Sequence, residues 1–493
     1  MSFDKTKTSI WSSKRRPRDI QGENAQEQDV EHEPSYDNHR SIFQQDYDRL
    51  LFSAPVRRLS DKTQVWPMDE NDGVRTRLTH SHEVANLARS IGTKVYYGAK
   101  KHFSHSDGSY VSLQETIQPL LLASGLGHDL GNPPFGHQGE AAIGNWFKSR
   151  SAWIYTYTSE AKSAKSEELD DKVSKEQRSE FESFDGNPQT LRLITTLQSH
   201  IDNVGLDLSA ATLATGLKYA VSYENRKGDG SLKKGGYFSS EKNIVDWLRS
   251  KTGLQEGQRH PLTWIMEACD DIAYSVLDVD DVLKKGMISP NDVLVFLRAN
   301  SDNKDIVDDI EIKFQLVEKR IENLDTNRDI KIEYLRALLI GNLVSHASAE
   351  FVNNADNIFD FTNSQALMDS SSLCDSLKKI AQQTAFNHPS VLKAEAIGAE
   401  AIDGLMTAFW SAICNRKEKD DLLSRRLSAR DKYVFSLISP NYLYHAENKD
   451  CTNGLSLRYR ELRLLTDMVS GMTDSFAIRL WEDLRSIPYV NCT

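Results

Sequence analysis

The sequence predicts a mainly α-helical protein, and three observations carry that prediction. Apolar residues recur at helical spacing through most of the chain after residue 40, alternating β-branched runs are scarce, and Gly and Pro fall where the periodic stretches break. With 493 residues, 39% of them hydrophobic, there is enough chain for one large helical body or two to three smaller domains. No stretch approaches the ~20 apolar residues of a membrane helix. The densest apolar cluster is Leu120-Leu121-Leu122-Ala123. The N-terminus has no apolar signal region. The five cysteines, Cys269, Cys374, Cys414, Cys451 and Cys492, form no CxxC, which argues against a disulfide framework or a thiolate zinc site. The expectation is a cytoplasmic protein with no membrane contact. Sixty basic against 71 acidic residues, a net charge of -11, exclude a general nucleic-acid coat. A polyanionic ligand must then be met by locally concentrated cations, a metal or helix N-termini.

Taken in order, residues 1–40 are polar, carry a basic knot at Lys14-Arg15-Arg16-Pro17-Arg18, and read as a tail. Residues 41–290 hold the best-phased helices. In 78–92, Val84, Leu87, Ala88 and Ile91 mark a buried face that His80 shares and His82 does not. In 119–130, Pro119 suits a first turn, and the helix ends at His128-Asp129 before Gly131-Asn132-Pro133-Pro134. Residues 159–184 are almost wholly charged and small, and read as a solvated insertion with little core value. In 262–285, Ile265, Cys269, Ile272, Val276 and Val279 form one apolar stripe. Asp270 interrupts the neighbouring stripe of Met266, Ala273 and Leu277, whereas Asp271 aligns with Glu267 and Asp278 on a polar row. Residues 291–493 continue as long helices, expected to pack on the core and to complete the pocket and oligomer contacts.

An ionised carboxylate on an apolar stripe is costly unless a charge or metal meets it, so Asp270 is a candidate ligand. A lone His on an apolar face is more often a satisfied core residue, and one His-Asp pair carries nothing by itself. The context is richer: RTRLTHSHEV at 75–84, GLGHDLGNPPFGHQGE at 125–140 and EACDDIAYSVLDVDD at 267–281 occur in this order. With RRLSDKTQVWP at 57–67, GNPQTLR at 186–192, LKY at 217–219, KGGYFSSE at 234–241 and DMVSGMTDSFA at 467–477, the chain resembles the HD superfamily. Within it, the resemblance is to deoxynucleotide triphosphohydrolases of the bacterial dGTP type, over residues 45 to 480.

That resemblance implies an HD-domain helical core with additional helices and four metal ligands: His80, His128, Asp129 and Asp270. Helix phase also prefers Asp270 over Asp271. Two imidazoles and two carboxylates suit Mn, Mg, Fe, Co, Ni or Zn, and ligand type alone does not choose among them; Mn or Mg is the expected ion, with Co, Ni, Fe and Zn open. The implied reaction is hydrolysis of dGTP, or of several dNTPs, to the deoxynucleoside and tripolyphosphate by water attack at the α-phosphorus. His137 and Glu140, spaced i and i+3, match the family's proton-transfer positions. The resemblance puts Gln64 and Asp278 at the sugar 3′-hydroxyl and the Tyr274 ring against the 2′ carbon. It puts Arg77, Lys218, Tyr219 and Lys234 at the triphosphate, with Lys233 an alternative to Lys234. Arg458, Arg460 and Arg463 offer a further arginine without a choice among them. The resemblance further implies a homo-oligomer, a hexamer above all, single-stranded DNA as an added partner, and a role in dNTP pool control or phage defence. The rival readings are another HD-type nucleotide phosphohydrolase or phosphodiesterase, and a nucleic-acid binder.

Overall fold

The computed structural model describes residues 9–16, 39–66, 74–105, 107–160, 166–200, 202–227, 232–448 and 454–487. The protein is 66% helical. The described residues form no sheet, only isolated bridges such as Thr63–Thr76. None of the described helices is long and apolar enough to cross a membrane.

Two hydrophobic cores organise the helices. The first gathers the Arg77–Gly98, Pro261–Lys284, Leu324–Asn353 and Ser372–Ala381 helices. The second gathers the Gly136–Arg150, Pro389–Cys414 and Leu457–Ser470 helices. The Gln118–Gly127 helix serves both, with Leu120 and Leu121 in the first and Leu126 in the second. The His-Asp pair at its C-terminal end therefore sits where the cores meet.

Local sequence explains the helices that matter. Thr76 opens the Arg77–Gly98 helix with a capping box to Thr79, and His80, Val84, Ala88, Ile91 and Val95 line its buried face. Pro261 starts the Pro261–Lys284 helix behind an N-cap at His260, whose ring accepts from Leu262 N at 3.2 Å. That helix is buried on nearly every side. Along its polar row burial is uneven: Asp278 is 1% exposed, whereas Asp271 is partly exposed and pairs with Lys378 at 2.8 Å.

Two segments differ from what composition suggested. Residues 9–16 are not a free tail but a strap docked on the core. Trp11 packs on Phe103 and on the edge of His260. Ser12 and Lys14 accept from Ala211 N and Ala210 N. Arg15 pairs with Asp46 at 2.8 Å, and Arg16 donates to Thr195 O at 2.7 Å. One buried tryptophan and two inward arginines outweigh the polar background; Pro17 and Arg18 lie outside the described residues. The charged insertion also contributes core. Val173 and Phe181 are buried, Phe181 against Phe147 and Tyr459, and Glu180 is matched by Arg463 at 2.8 Å and the Tyr459 hydroxyl. A few apolar residues and one paired charge anchor it, because burial acts residue by residue and not through mean composition.

Candidate metal centre and active site

Three helices and one loop bring the chemistry together. His80 projects from the first turn of Arg77–Gly98, His128 and Asp129 end the Gln118–Gly127 helix, and Asp270 lies midway along Pro261–Lys284. Single donor atoms of His80, His128 and Asp129 all lie within 4.8 Å of one another. Asp270 Oδ1 is 3.4 Å from His80 Nε2 and 3.4 Å from His128 Nε2. His128 donates through Nδ1 to Gly125 O at 2.7 Å, which turns its Nε2 toward the cluster. His80 Nε2 and His128 Nε2 are buried, yet neither makes a well-formed hydrogen bond.

The electrostatics favour positive charge at this point. Burial opposes protonation of His128, but Asp129 and Asp270 outweigh it and push the imidazole up to about 9. Burial likewise raises Asp129, yet His128 and Arg77 hold it down to about 2. Asp270 sits well below the carboxylate range, because Lys218 and His128 overcome its burial. Arg77 Nη1 donates to Asp129 Oδ2 at 2.5 Å, and Lys218 Nζ lies 3.2 Å from Asp270 Oδ2. Convergent imidazoles whose inward Nε2 atoms make no well-formed hydrogen bond, flanked by ionised carboxylates, fit a divalent cation of borderline hardness. His80, His128, Asp129 and Asp270 are the residues that would hold it.

The other candidates surround this cluster. His137 and Glu140 lie in the first turns of Gly136–Arg150 and meet at 2.8 Å between Nδ1 and Oε2. Glu140 Oε1 also accepts from Gly186 N at 2.7 Å, so the carboxylate is fixed while the His137 side chain is 83% exposed. The Glu140 hydrogen bond raises the His137 pKa, with partial desolvation by the surrounding protein and the charges of Arg77 and Lys234 opposing. Gly136, at φ 54°, leaves room for the guanidinium: a Cβ there would stand 2.4 Å from Arg77 Nη2. Lys234 pairs with Asp185 at 2.5 Å and lies over the Tyr219 ring.

Tyr274 stacks on Phe386, with centroids 5.7 Å apart and planes within 15°. Gln64 Oε1 and Asp278 Oδ2 are buried without partners. Burial, and after it the Asp281 charge, pushes the Asp278 carboxyl well above its usual range. The C-terminal arginines have partners within the fold: Arg458 Nε lies 3.4 Å from Glu461, Arg460 donates to Ala446 O, and Arg463 pairs with Glu180.

Sequence reading missed four supporting residues. Asn132 donates to Asp129 Oδ1 at 2.7 Å, Asp185 holds Lys234, Gly186 holds Glu140, and Phe386 covers Tyr274. Asn132, Asp185 and Gly186 stand within or beside the GNPPFGH and GNPQTLR runs, a signal that was available; Phe386 had none.

An all-helical body that aims two histidines and two aspartates at one point defines a class. Residues 77–275 match the HD domain family, the class of helical metal-dependent phosphohydrolases. A deoxyguanosinetriphosphate triphosphohydrolase-like protein of Listeria monocytogenes is 33% identical over 454 residues, 91% of this chain and 94% of the relative. The deoxyguanosinetriphosphate triphosphohydrolases of Salmonella paratyphi A and Yersinia pestis (strain Pestoides F) are each 30% identical, over 90% and 88% of this chain and 93% and 92% of their own lengths. The chain belongs to the deoxyguanosinetriphosphate triphosphohydrolase family of HD-superfamily proteins. It is a metal-dependent nucleotide hydrolase.

Proposed function

We propose that this chain hydrolyses dGTP to deoxyguanosine and inorganic tripolyphosphate, water attacking the α-phosphorus as the sugar 5′-oxygen leaves. The observation that carries the reading is the convergence of two buried ring nitrogens without well-formed hydrogen bonds, on His80 and His128, with the carboxylates of Asp129 and Asp270. A divalent ion at these four residues, Mn2+ or Mg2+ in the first place, would polarise the α-phosphoryl oxygen and offset charge developing there. The names of the Salmonella and Yersinia relatives support guanine as the base.

The chain's own residues supply the rest. Arg77, Lys218 and Lys234 meet the triphosphate, with Tyr219 packed beneath Lys234. His137 stands beside the α-phosphate, its Nδ1 held by Glu140, which leaves Nε2 for the reacting groups. Water must lose a proton as the 5′-oxygen gains one, and the His137–Glu140 pair is placed to carry it. Gln64 and Asp278, whose buried oxygens lack partners, take the 3′-hydroxyl. Burial shifts the Asp278 carboxyl toward its neutral form, which can donate there as well as accept. Tyr274, braced by Phe386, closes the space a 2′-hydroxyl would need. Assembly into a homo-oligomer, binding of single-stranded DNA, and a cytoplasmic role in dNTP pool control or phage defence complete the reading.

The test is product analysis with each dNTP and GTP, in Mn2+ and in Mg2+, beside protein stripped by chelation. Deoxyguanosine and tripolyphosphate from dGTP, lost on stripping and regained with metal, is the expected result. Equal turnover of all four dNTPs removes the guanine preference, and release of pyrophosphate or phosphate removes the attack at the α-phosphorus.

A further inference from the structure

The DMVSGMTDSFA run lies more than 300 residues from the loop after Asp129, and nothing in the proposed chemistry uses it. Its turn nevertheless enters the site region. Asp474, 1% exposed, accepts from two main-chain groups of other segments: Thr63 N at 3.0 Å and Phe135 N at 3.0 Å. Thr63 precedes Gln64, and Phe135 begins the turn that launches His137 and Glu140. Lys62, 3% exposed, donates to Asn132 O at 2.5 Å and to Ser470 O at 3.1 Å, while its own carbonyl accepts from Arg77 N at 2.9 Å. Ser475 Oγ closes the turn on Asp61 at 2.7 Å.

The need for such a clamp is visible in the backbone. Phe135 adopts φ 61°, a left-handed conformation costly for an aromatic residue, and persists only where its surroundings over-determine it. Asp474 holds its N–H. Gly398 admits its ring, since a Cβ there would lie 2.5 Å from it.

We infer that the Ser470–Ser475 turn is a positioning staple for the active site, with Asp474 and Lys62 as its positioning residues. The inference rests on the reaction proposed above. The staple fixes the segment bearing Gln64, the start of the Arg77 helix, and the turn before His137 relative to one another. It works through main-chain hydrogen bonds and touches neither substrate nor metal.

The test compares full-length, Mn2+-loaded wild type with Asp474→Asn and Lys62→Met. Asp474→Asn keeps the side chain's size but turns an NH2 toward one of the two main-chain donors; Lys62→Met keeps the stem and removes the donor. Expected for each is a kcat on dGTP at least ten-fold lower with KM within three-fold. Amide exchange should rise in the 131–140 peptide and not across the protein, with Mn2+ stoichiometry unchanged. Wild-type kcat at a lower melting temperature, or exchange raised everywhere, would make the turn merely stabilising and overturn the inference. If Asp474→Asn does not fold, Lys62→Met decides by the same criteria, and failure of both to fold counts against positioning. Wild type is assayed first: if it makes no tripolyphosphate, the proposed reaction fails while the staple is judged on local exchange and on whichever nucleotide wild type hydrolyses.

Discussion

Two of the buried charged clusters among the described residues, one around Arg192 and one around His80 and His128, are built differently. Around Arg192 every guanidinium nitrogen has an acceptor: Nε and Nη2 on Asp467 at 2.8 and 2.7 Å, and Nη1 on Glu241 at 2.7 Å. Gln189 also donates to Asp467, at 3.0 Å. Around His80 and His128 the Asp270 carboxylate stands farther off, 3.4 Å from each Nε2, and both inward ring nitrogens lack well-formed hydrogen bonds. The first cluster is closed on itself and ties GNPQTLR to the DMVSG helix. The second turns two ring nitrogens without well-formed hydrogen bonds toward a shared point, which is how a ligand site differs from architecture when both are buried and charged.

Substitutions can break or sharpen that contrast. Asp129→Ala should remove a donor no other residue replaces, lowering dGTP turnover on the order of 10³-fold or more while the fold holds. Steady-state kinetics with circular dichroism checks this, and a ten-fold loss would deny Asp129 a place in the centre. Arg192→Met should do the reverse, costing about 3–5 kcal/mol of stability because it strands Asp467 and Glu241. Chemical denaturation measures the loss, and turnover per folded molecule should stay near wild type. Glu140→Gln should lower kcat by roughly 10- to 100-fold. It should also move a pH limb. Glu140 raises the His137 pKa, so protonated His137 persists above the ordinary imidazole range and is lost as pH rises through that higher value. Without the carboxylate, the basic limb of the kcat–pH profile should shift to lower pH, and an unmoved limb would assign it to another group. The smallest effect is expected at Tyr274. Tyr274→Ala should narrow the dGTP-over-GTP ratio by about 1–3 kcal/mol, read as the ratio of kcat/KM values, and no change would place the sugar elsewhere.

Legibility in the sequence followed periodicity. The helical class, the buried face shared by His80 and Val84, and the choice of Asp270 over Asp271 could all be read from spacing. The structure turns Asp270 toward the imidazoles and Asp271 toward Lys378. Composition misled where a few residues dominate, as with Trp11 in the strap and Phe181 in the charged insertion. Among Arg458, Arg460 and Arg463 the sequence offered no choice, and in the fold Arg463 lies over the Phe238 ring and pairs with Glu180. An arginine's sequence environment does not reveal which buried carboxylate will claim it.

The sequence by itself determined the helices, the donor chemistry and the family, because helical phase and residue type are local properties carried by neighbours three and four apart. Tertiary structure alone decided that the donors meet and that Glu140 is pinned by Gly186. It alone decided that Asp278 is buried while Asp271 is not, and that Asp474 reaches back to Thr63 and Phe135. Those outcomes depend on how two cores pack against each other, and contacts across hundreds of residues leave no periodic trace in the segments that make them.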